Sequence, residues 1–365
     1  MRKIQRRDFL KAMGLTTAAL GLTACGGSGT SSTSSASSAS SAPTSGSSAP
    51  AASAPSEAAE EKSAPAGAMV AQLHPGELTI GDYTFKAEYI PFDVRREVCG
   101  AYHLIKADSY RGNYFFSFYN EDDEEQSAKI FEYAIQDGRL TPVEEYNIDG
   151  NDALSIDTNG ILYAMDGLDV YCYDLNSSDP EEPGDALDYS GSCYSSKDQD
   201  LTVIYWAFAP VLVQDGEYTE LTLEGDNEIG PFCRLSSLNL SGDELLTVGE
   251  LESSGDDYFA AFDLDGRELA RSSQPVGSFN AVMMKRPNGY LLDTGYVWEL
   301  YGPDGTFLEK SLPVGEHETL CQLCGEFCTF DVFLPLEENA FLAVGHYGKA
   351  SEPDEPVVFR ITTDF

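Results

Sequence analysis

From residue 77 to the C-terminus the chain is a succession of short apolar runs cut by turn residues, and helical periodicity is nearly absent. One pattern recurs. A Gly, Asn or Asp turn precedes an apolar run rich in Tyr, Phe and branched residues; most units then show a second run and a second Gly/Asp turn. Gly112-Asn113 precedes Tyr114–Tyr119, followed by Ile130–Ile135 and Asp137-Gly138. Asn159-Gly160 precedes Ile161–Ala164 and Val170–Tyr173, and Gln199-Asp200 precedes Leu201–Trp206. Gly242-Asp243 precedes Leu245–Val248, Tyr258–Phe262 and Asp265-Gly266. Asn288-Gly289 precedes Tyr290–Leu292, Val297–Tyr301 and Asp304-Gly305, and Glu338-Asn339 precedes Ala340–Val344 and Val357–Ile361. The first turns lie near 112, 160, 199, 242, 289 and 339, with gaps of 48, 39, 43, 47 and 50 residues.

Short strands repeating at about 45 residues suit the four-stranded blade of a β-propeller. Each unit has an apolar stretch just before its first turn: Ala101–Lys106, Ala153–Ile156, Cys193–Ser196, Leu235–Leu240, Phe279–Met284 and Thr329–Leu334. These are expected as inner strands around a central channel. Outer strands are expected after the second turn, at Leu140–Tyr146, Asp185–Tyr189, Tyr218–Leu223, Glu268–Arg271 and Thr306–Leu312. The sixth unit has no outer strand before Phe365, while Leu78–Ile90 is spare at the other end. Using that early strand to complete the last blade closes the ring and removes an exposed sheet edge. The predicted fold is therefore all-β: a propeller over residues 77–365, of six four-stranded blades closed by an N-terminal strand. Seven blades is the alternative count.

The stretch from Asp157 to Asp166 resembles the Asp/Gly-turn and apolar-Tyr strand of six-bladed propellers of the NHL and TolB type. The likeness covers one blade well and the others loosely. The chain has no Trp-Asp pair and does not repeat the Gly-His pair of WD40 units, which occurs once, at Gly345-His346. It departs from the sialidase Asp-box as well, with Gly160 one place late after Ser155 and Asp157. The resemblance implies architecture alone and carries no catalytic residues across.

Upstream of the repeats, Arg2, Lys3, Arg6 and Arg7 form a basic head, and Ala12–Ala24 is weakly apolar and ends in small residues. That is the layout of a signal peptide, over residues 1–24. Its 13-residue apolar stretch falls short of the roughly 20 residues a bilayer span needs. Arg6-Arg7-Asp8-Phe9-Leu10-Lys11 resembles a twin-arginine export signal, in which Arg6, Arg7, Phe9 and Leu10 carry the match. Leu22-Thr23-Ala24-Cys25 resembles a lipoprotein lipobox, which implies cleavage before Cys25 and a lipid on its sulfur. Residues 25–67 form the expected tether: Gly26–Gly67 contains no aromatic residue and no Ile, Leu, Val or Met. Such a segment has nothing to bury against the entropy of ordering, and a flexible chain of that length spans on the order of 35 Å. The expected address is the extracytoplasmic face of a cell membrane.

Charge narrows the partners. The first 24 residues hold five of the 22 basic residues and one of the 61 acidic ones, leaving 17 against 60, a net charge of −43. Phosphate backbones and anionic lipid surfaces are repelled by such a domain, so nucleic acid is excluded as a partner. Solubility and self-repulsion account for the charge; the expected partners are the membrane, through lipid on Cys25, and a small molecule, a cation or an envelope protein.

Seven cysteines remain besides Cys25. On the blade scheme Cys193 comes beside Cys233, and ring closure brings Cys99 toward Cys328, so disulfides between these are candidates alongside inert buried thiols. His317, Cys321, Cys324 and Cys328 form a tighter cluster with one Cys-x2-Cys hook, a half-site for zinc. A normal zinc site pairs two distant hooks, so no cofactor is predicted and a metal ion there is the lesser expectation. Asp263-Leu264-Asp265-Gly266 holds only a fragment of a calcium loop and reads as a hairpin turn. Nucleophile-elbow, phosphate-loop and dinucleotide motifs are missing from the sequence. The function expected is binding through the loops around the channel, without catalysis; the alternative is an exported metal-dependent or hydrolytic enzyme.

Overall fold

In the computed structural model the described residues are 76–92, 102–120, 128–148, 154–166, 169–184, 186–187, 191–205, 209–214, 216–224, 232–276, 281–295, 297–311, 328–347 and 355–365. They contain strands and turns and no helix. β1 (Glu77–Ile80) and β2 (Tyr83–Tyr89) form a hairpin. Blade one is β3 (Tyr102–Tyr110), β4 (Asn113–Asn120), β5 (Ala128–Gln136) and β6 (Arg139–Tyr146). Blade two is β7 (Leu154–Ile156), β8 (Ile161–Asp166) and β9 (Asp169–Asp174). Blade three is β10 (Ser192–Ser195), β11 (Thr202–Tyr205), β12 (Val211–Gln214) and β13 (Glu217–Glu220). Blade four is β14 (Phe232–Ser241), β15 (Glu244–Leu251), β16 (Asp257–Asp263) and β17 (Glu268–Arg271). Blade five is β18 (Val282–Arg286), β19 (Gly289–Asp293), β20 (Trp298–Tyr301) and β21 (Phe307–Lys310). Blade six is β22 (Cys328–Glu337), β23 (Ala340–Tyr347) and β24 (Glu355–Thr363), extended by β2 and then β1.

Every neighbouring pair is antiparallel, and the six first strands touch in sequence, β3 to β7, β10, β14, β18, β22 and back to β3. The ring is thus a six-bladed propeller closed by the N-terminal strand. The turns read from the sequence are the β3–β4, β7–β8, β10–β11, β14–β15, β18–β19 and β22–β23 connections. Two second-turn glycines do more than reverse the chain. Gly266 (φ +84°) and Gly305 (φ +83°) lie against the backbone of Thr222 and Arg271 in the preceding blade, where a Cβ would overlap it.

One expectation is corrected. Leu78–Ile90 is a hairpin, because Gly81 (φ +60°) and Asp82 turn the chain before β2, so blade six has five strands. Among the described residues blade two has three ladder strands, and of its expected outer strand Asp185–Tyr189 only residues 186–187 are described. Pro180, Pro183 and Gly184 interrupt the approach to it, and proline has no amide to donate. Among the described residues the Gly184 and Leu187 amides reach β9, donating to Cys172 O and Val170 O, each at 2.8 Å.

Burial follows the seams between blades. The seam between blades five and six, with the closure strand, holds Phe85, Trp298, Phe330, Phe333, Phe341, Phe359 and Phe365 in one cluster. Phe85 meets Trp298 edge-on, ring centres 5.4 Å apart, and both are fully buried. Phe85→Ala is therefore expected to cost about 3–5 kcal/mol, read from the urea midpoint. Deleting Leu78–Ile90 bares the β24 edge and is expected to lower the melting temperature or drive self-association; an unchanged monomer with an unchanged melting temperature contradicts the closure.

Candidate functional site

The six first strands are edge strands: each has a partner on one side and the channel on the other. Their free backbone groups need partners, since an unpaired buried amide or carbonyl costs about 1–3 kcal/mol. The structure supplies them with side chains that run from one blade to the next in the same direction. Asp108 Oδ2 accepts the Ile156 amide at 2.7 Å. Ser155 Oγ accepts the Ser195 amide at 2.6 Å, and Ser196 Oγ donates to Gly242 O at 3.4 Å. Between blades four and five, Ser237 Oγ and Ser241 Oγ accept the Ala281 and Lys285 amides at 3.1 Å, and Asn239 Nδ2 donates to Met283 O at 2.8 Å. Arg286 Nη2 donates to Glu338 O at 2.6 Å. The seam between blades six and one is held differently, by aromatic packing: Phe92 lies 5.0 Å from Phe116 and 4.7 Å from Tyr133.

Inside this ring is a channel of about 1170 Å³, lined by residues of all six first strands and of the turns that end them. Its size exceeds the usual 300–1,000 Å³ of small-molecule sites. The mouth on the side of these turns carries Arg111, Asp157, Lys197, Asp198, Lys285 and Glu338. Lys197 crosses the wall: its Nζ lies 2.6 Å from Asp108 Oδ1 and donates to Ile156 O at 2.6 Å, so it ties blades one, two and three. Lys285 pairs with Glu244 at 2.6 Å and Asp243 at 3.6 Å, and these acids hold its ammonium charged. Tyr290 donates to the other Glu244 oxygen at 2.9 Å. Asp157 caps its own turn, accepting the Asn159 and Ile161 amides at 2.9 Å, with Tyr163 at 3.2 Å. Acids do converge on the channel, and Asp108 and Asp157 are held by amides, a lysine and a tyrosine.

Of the sequence-predicted site residues, Arg6, Arg7, Phe9, Leu10, Cys25, Cys99, His317, Cys321 and Cys324 lie outside the described residues. Cys233 and Cys328 fall in β14 and β22, their side chains outside the description. Cys193 carries a free thiol that packs with Tyr163, Met165 and Val170 of blade two. Cys172 belongs to the same cluster, and burial pushes its thiol up to about 11, which leaves it protonated and unreactive. The inter-blade latches were missed in the sequence, although a signal exists. The pairs Asp108–Ile156, Ser155–Ser195, Ser237–Ala281 and Ser241–Lys285 are separated by 48, 40, 44 and 44 residues, close to the repeat length.

Asp108 tests the latch. Its carboxylate also accepts the Ser109 amide at 2.7 Å. Asp108→Ala strands the buried Ile156 amide and unpairs Lys197, and is expected to cost about 3 kcal/mol. Lys197→Met should cost less, because Asp108 keeps its two amide donors. Equal urea midpoints for Asp108→Ala and wild type would remove the latch from the account.

No protein-family model matches the chain, and no curated protein does. Among solved structures it is similar to a protein of unknown function from Dyadobacter fermentans, at 11% identity over 80% of this chain and 99% of that one, with a TM-score of 0.46. It is also similar to Hsv2 from Kluyveromyces marxianus (10%, 72% and 98%, TM-score 0.42) and to Sqt1 from Chaetomium thermophilum (13%, 75% and 70%, TM-score 0.40).

Proposed function

We propose that this chain is a lipid-anchored binding protein of the extracytoplasmic membrane face, which holds a small polar molecule at its propeller channel. The observation that carries the binding role is the channel itself, about 1170 Å³ and lined from all six blades. Its walls are held by the latches, so a ligand meets a preformed surface and spends little of its affinity on ordering it. Paired charges at the mouth, Lys197 with Asp108 and Lys285 with Glu244, present both donors and acceptors. The address rests on the twin-arginine and lipobox patterns around Arg6-Arg7 and Cys25, with a 42-residue tether behind them, Gly26–Gly67, that has no aromatic residue and no Ile, Leu, Val or Met. Lipid on Cys25 with more than one acyl chain would hold the domain stably.

Two measurements test this. Cys25→Ser is expected to move the protein from the membrane to the soluble fraction with its melting temperature intact; continued membrane retention counts against the lipid anchor. A thermal-shift screen of small polar molecules reads the binding role, since a ligand at a hundred times its Kd stabilises by about 2.7 kcal/mol. Thr158→Trp narrows the mouth from an exposed position, and should abolish any such shift while leaving the unliganded melting temperature unchanged. Shifts that survive Thr158→Trp place the ligand elsewhere.

A further inference from the structure

Asp293 is the buried carboxyl that the latches do not use. It ends β19, and register pairs it with Trp298 on β20, so both side chains share one face of blade five. Trp298 and its neighbours Leu291 and Leu300 pack in one cluster with Phe330, Phe333 and Phe341 of blade six, so this is the face that meets blade six. Asp293 is 2% exposed. Its Oδ1 accepts the Gly295 amide at 2.8 Å. Its Oδ2 and the Trp298 Nε1 are both buried without a hydrogen-bond partner. The charged group that faces it is another acid, Asp331 of β22, which lines the channel. No ion pair reaches Asp293 among the described residues; of the cations of its own blade, Lys285 and Arg286 lie at the opposite end of β18, engaged with Glu244 and Glu338, and Lys310 is the exposed last residue of the outer strand β21. Asp108, equally buried in the same ring, shows the contrast, with a lysine and two amides on its carboxylate.

We propose that Asp293 is a proton-binding site in the seam between blades five and six, neutral in the tightly closed ring and loosening that seam when it ionises. An ionised carboxylate there has one amide bonded to it, the Trp298 indole N–H near enough to favour the charge but not hydrogen-bonded to it, and a like charge across the seam. Burial is the largest cause; the Gly295 amide and the Trp298 indole oppose it, the Asp331 charge adds a smaller push, and the balance takes the carboxyl up to about 6 from the 3.8 of a free aspartate. The sign follows. Between pH 4 and 6 the folded chain binds more protons than the unfolded chain, so this group's contribution to stability falls as pH rises through about 6 and is constant above it. The difference corresponds to roughly a hundredfold in the folding equilibrium. The seam it acts on is the one that also docks the closure strand, through Phe85 against Trp298.

Trp206 and Trp298 are the chain's two tryptophans, so Trp206→Phe makes Trp298 the sole emitter beside Asp293. In the otherwise full chain, its fluorescence is expected to titrate with a midpoint near pH 6, and to stay flat over that range once Asp293→Asn is added. Asp331→Asn should move the midpoint to lower pH. In urea unfolding, Asp293→Asn should match wild type at pH 4 and be roughly a hundredfold more stable in its folding equilibrium at pH 7. A Trp298 midpoint near 4, or an Asp293→Asn difference that is the same at pH 4 and pH 7, overturns the proposal. The fluorescence titration decides it even where the Asn variant fails to fold.

Discussion

A propeller's innermost strands have an open edge, and satisfying that edge is the constraint on which the rest of this structure depends. Blade by blade, one polar side chain of a first strand reaches the backbone of the next first strand: Asp108 to Ile156, Ser155 to Ser195, Ser241 to Lys285, Arg286 to Glu338. The direction never reverses in these contacts, because each blade stands to its neighbour as the previous one did. Lys197 is the exception that reaches back, and it does so to neutralise Asp108 and to satisfy Ile156 O. Without such partners the channel wall would expose or bury a row of unpaired amides and carbonyls.

The last seam obeys different chemistry because it joins two distant parts of the chain. β2 supplies the fourth strand of blade six, and the Ile90 amide donates to Val358 O at 2.9 Å. The chain then passes Phe92 into the aromatic cluster of blade one, with Leu140 donating to Pro91 O at 2.9 Å. Aromatic burial, non-directional and large per residue, closes a ring whose ends are not held in register by the repeat.

These assignments shape the functional reading. Polar residues along the channel look at first like a site, yet much of their hydrogen-bonding capacity is committed to the walls. What remains is a preformed opening with paired charges at its mouth, inside a domain whose overall charge is strongly negative. Pairing matters there: Lys197 and Lys285 stand against Asp108 and Glu244, so the mouth is less negative than the composition alone implies. Asp293 is set apart by the same comparison, being a buried acid that accepts one amide and is met by no cation among the described residues.

The repeat was legible in the sequence because it rests on local chemistry. Turn residues such as Asn159-Gly160 and Asp304-Gly305 set backbone conformations that few other residues adopt, and apolar runs between them must be strands. Six blades, the positions of their first strands and the use of the early segment as a latch all follow from that spacing. The Gly81-Asp82 turn inside Leu78–Ile90 was legible by the same rule and changes only the strand count. The latches were harder to see: Ser155 and Ser195 meet across a seam 40 residues long in sequence, and a serine at the end of a strand has the same local signature whether it faces solvent or a neighbouring amide. Which carboxyls are satisfied was decided by the tertiary structure alone. Asp108 and Asp293 are alike in sequence terms, aspartates at or near strand ends, but packing brings a lysine and two amides to one and an indole, one amide and another acid to the other. Charge environment is a property of what the chain folds against, and the order of residues along it carries no record of that distance.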